Sequence, residues 1–295
     1  MFREESTLRN GLTNATIQKA DSGNRGILPS MAWKLKQLHA YHSYGFPKLT
    51  FGMVLKELFD KQERFRNYSL FKSSFAEVFV RDKYGINLVQ DTPFGTIEEV
   101  FGEGIYLEYP DFIPQPGSTV LDVGAQGGDF SLLCSVYLKC KKVIAIEPLP
   151  VNFDILIRNI GANASPNIQP VQAAASDKEG KVQIAYEGDT AFKGSSPGEM
   201  EVDSVRLDSL ILDALDVIKI DVEGFEMDVL AGALQLIDKF RPKIILEVHT
   251  RALKTDAINL LSEHGYGVAH EGRSTSYPHH NMDLVQNLFF GPVEK

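Results

Sequence analysis

Cysteine is almost absent: Cys134 and Cys140 are the two in 295 residues. They have neither CxxC spacing nor nearby metal-ligand spacing, so a reducing, cytoplasmic setting is expected. Positive charge is also in deficit, with 30 Lys and Arg against 39 Asp and Glu and a net charge of -9. That argues against a strong non-specific hold on nucleic acid or anionic membrane, and small or neutral partners fit better. Missing too is any uncharged apolar run approaching the roughly 18 residues of a membrane span, and the opening residues lead into polar sequence with no apolar signal-type core. What remains is 43% hydrophobic, enough to build a sizeable core in one large domain or in one domain with an N-terminal extension.

A dinucleotide fingerprint, G-x-G-x-x-G, is lacking as well. In its place Val120-Leu121-Asp122-Val123-Gly124-Ala125-Gln126-Gly127-Gly128 leads into the apolar-rich 130–138, a strand, a tight turn and a helix. Gly124 permits a sharp turn with no Cβ in the way, and Gly128 permits a ligand to approach the backbone at the helix start. Asp122 would repel a pyrophosphate and suits a ligand carrying an ammonium group, such as S-adenosylmethionine (SAM).

Strand and helix signals then alternate. Strands are expected at 142–146, 168–173, 216–221 and 242–249, with two more near 266–270 and 284–290. Helices are expected from Pro150 to a stop at Gly161, at 226–240 and at 252–264. Upstream, Phe51, Val54, Leu55, Leu58 and Phe59 mark one face of an amphipathic helix, and 96–100 with 104–109 read as a β-hairpin. Pro110, Pro114 and Pro116 then punctuate the chain, dividing it into an extension over 1–115 and a catalytic-type domain over 116–295. Such alternation predicts a doubly wound parallel sheet with its ligand at the carboxyl ends of the strands.

That rule gathers Asp122, Glu147, Asp221, Glu223, Glu247 and His249. Glu147 ends the second strand, where an acidic side chain accepts ribose hydroxyls. Asp221 with Glu223, and Glu247 with His249, each share one face of an extended segment. An alcohol attacking an activated methyl group must lose a proton, and His249 or Glu247 is placed to take it; a helix cap or a bond to a backbone carbonyl is the plainer job for His249. The same cluster suits a hard cation such as Mg²⁺, but no ligand spacing demands a metal and none is expected.

Asp122-Val123-Gly124-Ala125, Ile146-Glu147-Pro148, Lys219-Ile220-Asp221-Val222-Glu223-Gly224 and Leu246-Glu247-Val248-His249 resemble the FkbM family of SAM-dependent methyltransferases, over about 116–292. The resemblance implies an α/β class I SAM-methyltransferase fold, Rossmann-like, with a seven-stranded sheet whose last strand is antiparallel. It implies O-methylation of a sugar, glycan, lipid or polyketide-like acceptor. By the same resemblance Gly124, Gly128 and Glu147 bind SAM, the turn near Ala174 and Ser176 faces the adenine, and Asp221 lies near the methionine end. Gln126-Gly127 stands where the family usually has Asn-Ile, so Gln126 keeps an amide at the cofactor, one methylene longer.

Between the final two strand candidates, 271–281 carries Arg273, Tyr277, His279 and His280, polar groups able to hold a hydroxylated ligand. A loop over the crevice is expected, hinged at Gly272, with Tyr277 and His279 joining Glu223 as acceptor contacts. Two other functions fit the composition: a nucleotide-dependent oxidoreductase, disfavoured by the absent fingerprint, and a non-catalytic SAM-fold binding protein, disfavoured by the intact acidic crevice.

Overall fold

The computed structural model describes residues 76–293 other than 90, 189, 194–197 and 278–281, all within one compact unit, Tyr68–Lys295. The amphipathic helix expected at 51–59 lies outside the described residues.

A helix over 76–84 is followed by α1 (Phe94–Ile97), a wide π-type turn over Glu98–Glu103 and a 3₁₀ turn at Ile105–Leu107. The hairpin expected at 96–109 is thus corrected to helix. Ile97, Val100 and Phe101 are all buried, and their i, i+3, i+4 spacing matches a helical face, which outweighs the β-propensity of the individual residues. Gly104, at φ 70°, ends the turn and donates its N–H to the Glu99 carbonyl.

The main sheet begins with β1 (Thr119–Val123), which leads through the glycine turn into α2 (Asp129–Leu132) and a π-type turn over Leu133–Tyr137. Then come β2 (Lys142–Ile146), α3 (Pro150–Ala162) and β3 (Ile168–Val171). Pro150 occupies the first turn of α3 as expected, where its missing N–H costs nothing.

The next stretch was not assigned from sequence and forms a second sheet. It contains β4 (Ala174–Ala175), β5 (Gly180–Glu187), β6 (Thr190–Phe192) and β7 (Gly198–Val205), in the order β4-β7-β5-β6. Ile184 and Val202 pack there with Leu149 and Ala174. The signal was available in the alternation of Val182, Ile184 and Tyr186 with Lys181, Gln183 and Glu187, broken only at the buried Ala185.

The main sheet resumes with β8 (Val217–Ile220), α4 (Glu226–Ala231), α5 (Leu234–Phe240), β9 (Lys243–Val248) and α6 (Arg251–Glu263). It closes with β10 (Tyr266–Tyr277) and β11 (Met282–Pro292). The single helix expected at 226–240 is interrupted at 232–233, where the chain passes so close to Ser176 that a Cβ at Gly232 would stand 2.1 Å from its carbonyl oxygen.

The seven strands run β10-β11-β9-β8-β1-β2-β3. All pairs are parallel except those of β11, which is antiparallel to both β9 and β10. This is the doubly wound, seven-stranded class I arrangement with its last strand antiparallel. Leu121, Ile218, Ile244 and Leu246 pack with Val229, Leu230, Ile237 and Leu261 in a continuous core, each such side chain worth about 1.5–3 kcal/mol. The core fixes the strand ends, and the strand ends carry the polar residues. Among the described residues no helix is long and apolar enough to cross a membrane.

Candidate active site

A cavity of about 1100 Å³ lies at the carboxyl ends of β1, β2, β8 and β9, lined among others by Gly124, Gln126, Glu147, Asp221, Glu247 and His249. Single small-molecule sites occupy roughly 300–1000 Å³, so there is room for a cofactor and an acceptor together.

The glycine turn is built by its neighbours. Gly124 sits at φ 78°, and a Cβ there would lie 1.8 Å from the Asp221 carbonyl oxygen, so the glycine lets the end of β8 approach β1. We expect Gly124→Ala to lower stability by about 2 kcal/mol or more, because a positive φ and a backbone clash are imposed together; a thermal unfolding midpoint within a degree of the parent would refute this origin for the glycine. Gly128 has a different job from the one expected. It does not border the cavity, and a Cβ there would lie 2.5 Å from Leu156 Cδ1, so it admits α3 rather than a ligand. The amides of Gly124 and Ala125 already donate to the Ile146 carbonyl at 3.0 and 2.9 Å. A ligand therefore meets side chains in this turn more than free N–H groups.

Glu147 follows the last residue of β2. Its Oε2 accepts from the Gln126 amide at 2.9 Å, and its Oε1 accepts from the Leu149 amide at 2.9 Å and from Asn152 Nδ2 at 3.4 Å. Oε2 keeps acceptor capacity to spare, and Glu147 borders the cavity. Burial pushes the Glu147 carboxyl up to about 7, partly offset by the two amide bonds. The side-chain oxygen of Gln126 is buried without a hydrogen-bond partner, an acceptor awaiting a donor from outside the protein.

Asp122 departs from its expected role. It is fully buried, accepts from Ser131 Oγ at 2.6 Å, and stands 3.4 Å from the ammonium of Lys219, its register partner on β8. The cation it faces belongs to the protein. Lys219 also donates to the Gly124 carbonyl at 2.7 Å and lies 3.6 Å from Asp221. Burial would lower the Lys219 pKa, but the charges of Asp122, Asp221 and Glu247 raise it on balance. Of the two aspartates flanking the glycine turn, the one that borders the cavity is Asp129, which the sequence reading missed. Its Oδ2 accepts from Thr96 Oγ1 at 2.7 Å and its Oδ1 is buried without a partner; burial raises its pKa to about 6, with Thr96 opposing.

The four residues expected to cluster do so because β8 and β9 are neighbours. His249 Nε2 is 3.2 Å from Glu223 Oε2, 3.4 Å from Glu247 Oε1 and 3.9 Å from Asp221 Oδ1. On the other side of the ring Nδ1 lies 2.5 Å from Glu226 Oε1, a partner at the start of α4 that sequence reasoning did not single out. The helix-cap alternative for His249 is excluded by Thr250, whose hydroxyl accepts from the Leu253 amide at 3.1 Å and caps α6. Burial would lower the His249 pKa, but the Glu226 hydrogen bond and the neighbouring carboxylates of Glu247, Glu223 and Asp221 raise it to about 11. With no ion bound, His249 therefore holds its proton at neutral pH and cannot itself accept one. Glu247 is the better acceptor: burial and the Asp221 charge raise its pKa, while Asn287 Nδ2 fixes its Oε2 at 3.1 Å. Tyr106, from the segment before β1, reaches Asp221 Oδ2 at 3.4 Å and packs edge-on against Phe130. It had given no sequence signal beyond its aromatic character.

Of the two residues expected near the adenine, Ala174 lines the cavity and Ser176 does not. The Ser176 amide donates to the Val205 carbonyl, and its own carbonyl abuts Gly232. The loop expected over 271–281 is corrected as well, since 271–277 and 282–283 continue β10 and β11 as paired strands. Val248, the last residue of β9, opposes Gln286, which opposes Ser274. The hairpin thus overhangs the carboxyl side of the sheet, with Gly272, Val285 and Gln286 on the cavity wall. Tyr277 is the last residue of β10, but its side chain, like all of His279, lies outside the described residues.

Residues 122–268 match the family model described as Methyltransferase FkbM domain. The hexuronic acid methyltransferase AglP of Haloferax volcanii is 32% identical over 154 residues, which cover 48% of this chain and 60% of AglP. The 31-O-demethyl-FK506 methyltransferase FkbM of Streptomyces tacrolimicus is 27% identical, covering 59% of this chain and 81% of that protein. The chain thus spans less than two thirds of the length of AglP. A crystal structure of methyltransferase FkbM from Methylobacillus flagellatus KT is similar at a TM-score of 0.43, with 19% identity over 75% of this chain and 60% of that one.

Proposed function

We propose, for a chain that belongs to the FkbM family of SAM-dependent methyltransferases, that it transfers the methyl group of SAM to a hydroxyl oxygen of a sugar, glycan, lipid or polyketide-like acceptor. The observation that carries this reading is that one cavity at the strand ends is bordered both by Glu147 with the orphaned Gln126 oxygen and by the Asp221–Glu247–His249 cluster. One half suits a nucleoside; the other suits a hydroxyl that must lose a proton. The relative named for a hexuronic acid supports sugars among the acceptors.

SAM supplies a methyl group already activated by its sulfonium centre, so the protein's task is to align a hydroxyl and receive its proton. Glu147 and Gln126 hold the ribose, Ala174 borders the adenine, and Asp129 meets the positively charged amino-acid end in place of Asp122. Asp221 lies beside the methionine end. Glu247 accepts the hydroxyl proton, with Asn287 donating to it and keeping it oriented and the His249 ring 3.4 Å away. Glu223, Tyr277 and His279 contact the acceptor. The catalytic domain is 116–295, and Tyr106 and Glu99 from the preceding segment complete the cavity wall. Both cysteines are buried and free, in keeping with a cytoplasmic location, and the excess of acidic residues favours small acceptors over nucleic acid.

Release of S-adenosylhomocysteine across a panel of sugar, lipid and polyketide alcohols tests the activity, and no release with any of them counts against it. Glu147→Ala should weaken SAM binding by roughly tenfold to a hundredfold, the value of hydrogen bonds to a charged acceptor. Because the ionised carboxylate is the better acceptor and its pKa is raised to about 7, affinity in the parent should fall as pH drops through 7. Calorimetry that finds no pH dependence and an unchanged Glu147→Ala would remove Glu147 from the site.

A further inference from the structure

We infer that Asp221, Glu247 and His249 form a binding site for a divalent cation of the Mg²⁺ or Mn²⁺ class, with Glu223 beside it as a further oxygen donor. One donor atom from each of the three residues lies within 4.8 Å of the others, and two of the separations are 3.4 and 3.9 Å. Two ligands about 2.1 Å from one ion and at right angles to each other stand about 3 Å apart, so small side-chain rotations close the set.

A group of acids alone would mean little, and the imidazole provides the independent observation. His249 is 3% exposed, yet its Nε2 has no hydrogen-bond partner. Glu223 and Glu247 are near enough but out of line for a hydrogen bond. Its Nδ1 is held by Glu226, which is itself fully buried on α4. A carboxylate that fixes one ring nitrogen and aims the other at a cluster of oxygens is how metal-ligating histidines are oriented. Glu223 Oε2 is likewise buried without a hydrogen bond, so two orphaned donor atoms face the same point.

Charge points the same way. The carboxylates of Asp221, Glu223, Glu226 and Glu247 surround one imidazole, and the nearby Lys219 is shared with Asp122. A donor set rich in carboxylate oxygens, with one imidazole and no thiolate, is of the kind that holds a hard divalent ion. No spacing in the sequence announced this site, because its ligands come from the ends of two strands and meet only when β8 pairs with β9. The ion's use, to bind the acceptor hydroxyl and lower its pKa beside Glu247, rests on the methyl-transfer reading. The binding of the ion does not.

The test is Mn²⁺ titrated into the full-length, chelator-stripped protein without SAM, followed by the electron paramagnetic resonance signal of free Mn²⁺. One ion per chain should bind, and pulsed measurements on the parent protein should show ¹⁴N coupling from a directly bound imidazole. His249→Ala should abolish the coupling and weaken binding at least tenfold, and Glu226→Gln should weaken it tenfold to a hundredfold by releasing the ring. Absence of ¹⁴N coupling in the parent overturns the site even if the variants fail to fold, as does Mn²⁺ binding that His249→Ala leaves unchanged. If Mn²⁺ binds as described but no acceptor is methylated, the site stands and the methyl-transfer reading falls.

Discussion

Lys219→Met should destabilise the protein by about 3–5 kcal/mol, the usual loss when one partner of a buried ion pair is removed. The cause is local. Asp122 is fully enclosed, its Oδ1 has no hydrogen-bond donor, and the Lys219 ammonium at 3.4 Å is the cation that answers it. Methionine keeps all but the last atom of the unbranched side chain and removes the charge, so the loss is mainly electrostatic rather than a cavity effect. Burial already raises the Asp122 pKa against the opposing pull of Lys219 and Ser131; without Lys219 it should rise further, and Asp122 should take up a proton. Asp122→Asn combined with Lys219→Met should therefore recover a large part of the stability, a non-additivity expected of groups in contact. Urea unfolding of the four proteins measures it. A loss below 1 kcal/mol in the single variant, or additive losses in the double, would show that the pair is not what holds the ends of β1 and β8 together.

Glu247→Gln should lower turnover by about 10²–10⁴-fold, the range for loss of a general base, while SAM affinity stays within about twofold. The side chain points into the acidic half of the cavity, with Oε2 held by Asn287 and Oε1 beside His249, and the nucleoside half is built from other residues. Glutamine preserves the shape and the bond from Asn287 but can neither take a proton nor neutralise a cation. In the parent, the rate should fall as pH drops through the Glu247 pKa, which burial and Asp221 hold above the usual carboxylate range, because the base must be ionised to act. A lowered kcat with unchanged SAM affinity is the signature of an interaction made during transfer. Equal kcat in the variant and the parent would remove Glu247 from the chemistry. Mn²⁺ binding in the same variant separates its two jobs: full binding with lost turnover makes it the base alone.

The alternation of strands and helices, the glycine turn, the start of α3 at Pro150 and the gathering of Asp221, Glu223, Glu247 and His249 were all legible in the residues. Each follows from local rules: apolar period, the chemistry of glycine and proline, and the fact that in an open parallel sheet the strands' carboxyl ends share one crevice. The segment 96–109 was misread because its residues carry β-propensity while Ile97, Val100 and Phe101 carry helical spacing, and burial favoured the spacing. The hairpin arms of β10 and β11 were misread as loop because polar composition at a sheet's overhanging end resembles that of a loop. What one strand places opposite another was not legible at all. Asp122 meets Lys219 rather than a ligand because β1 and β8 pair in one particular register. Gly128 admits Leu156 rather than a cofactor because α3 packs across the turn. Glu226 aims His249 only once α4 folds back beside β9. The sequence determined which groups stand at the strand ends, since that depends on neighbours along the chain; which of them face each other and which face the cavity was decided by register and helix packing, where the partners lie tens of residues apart and no local period encodes the pairing.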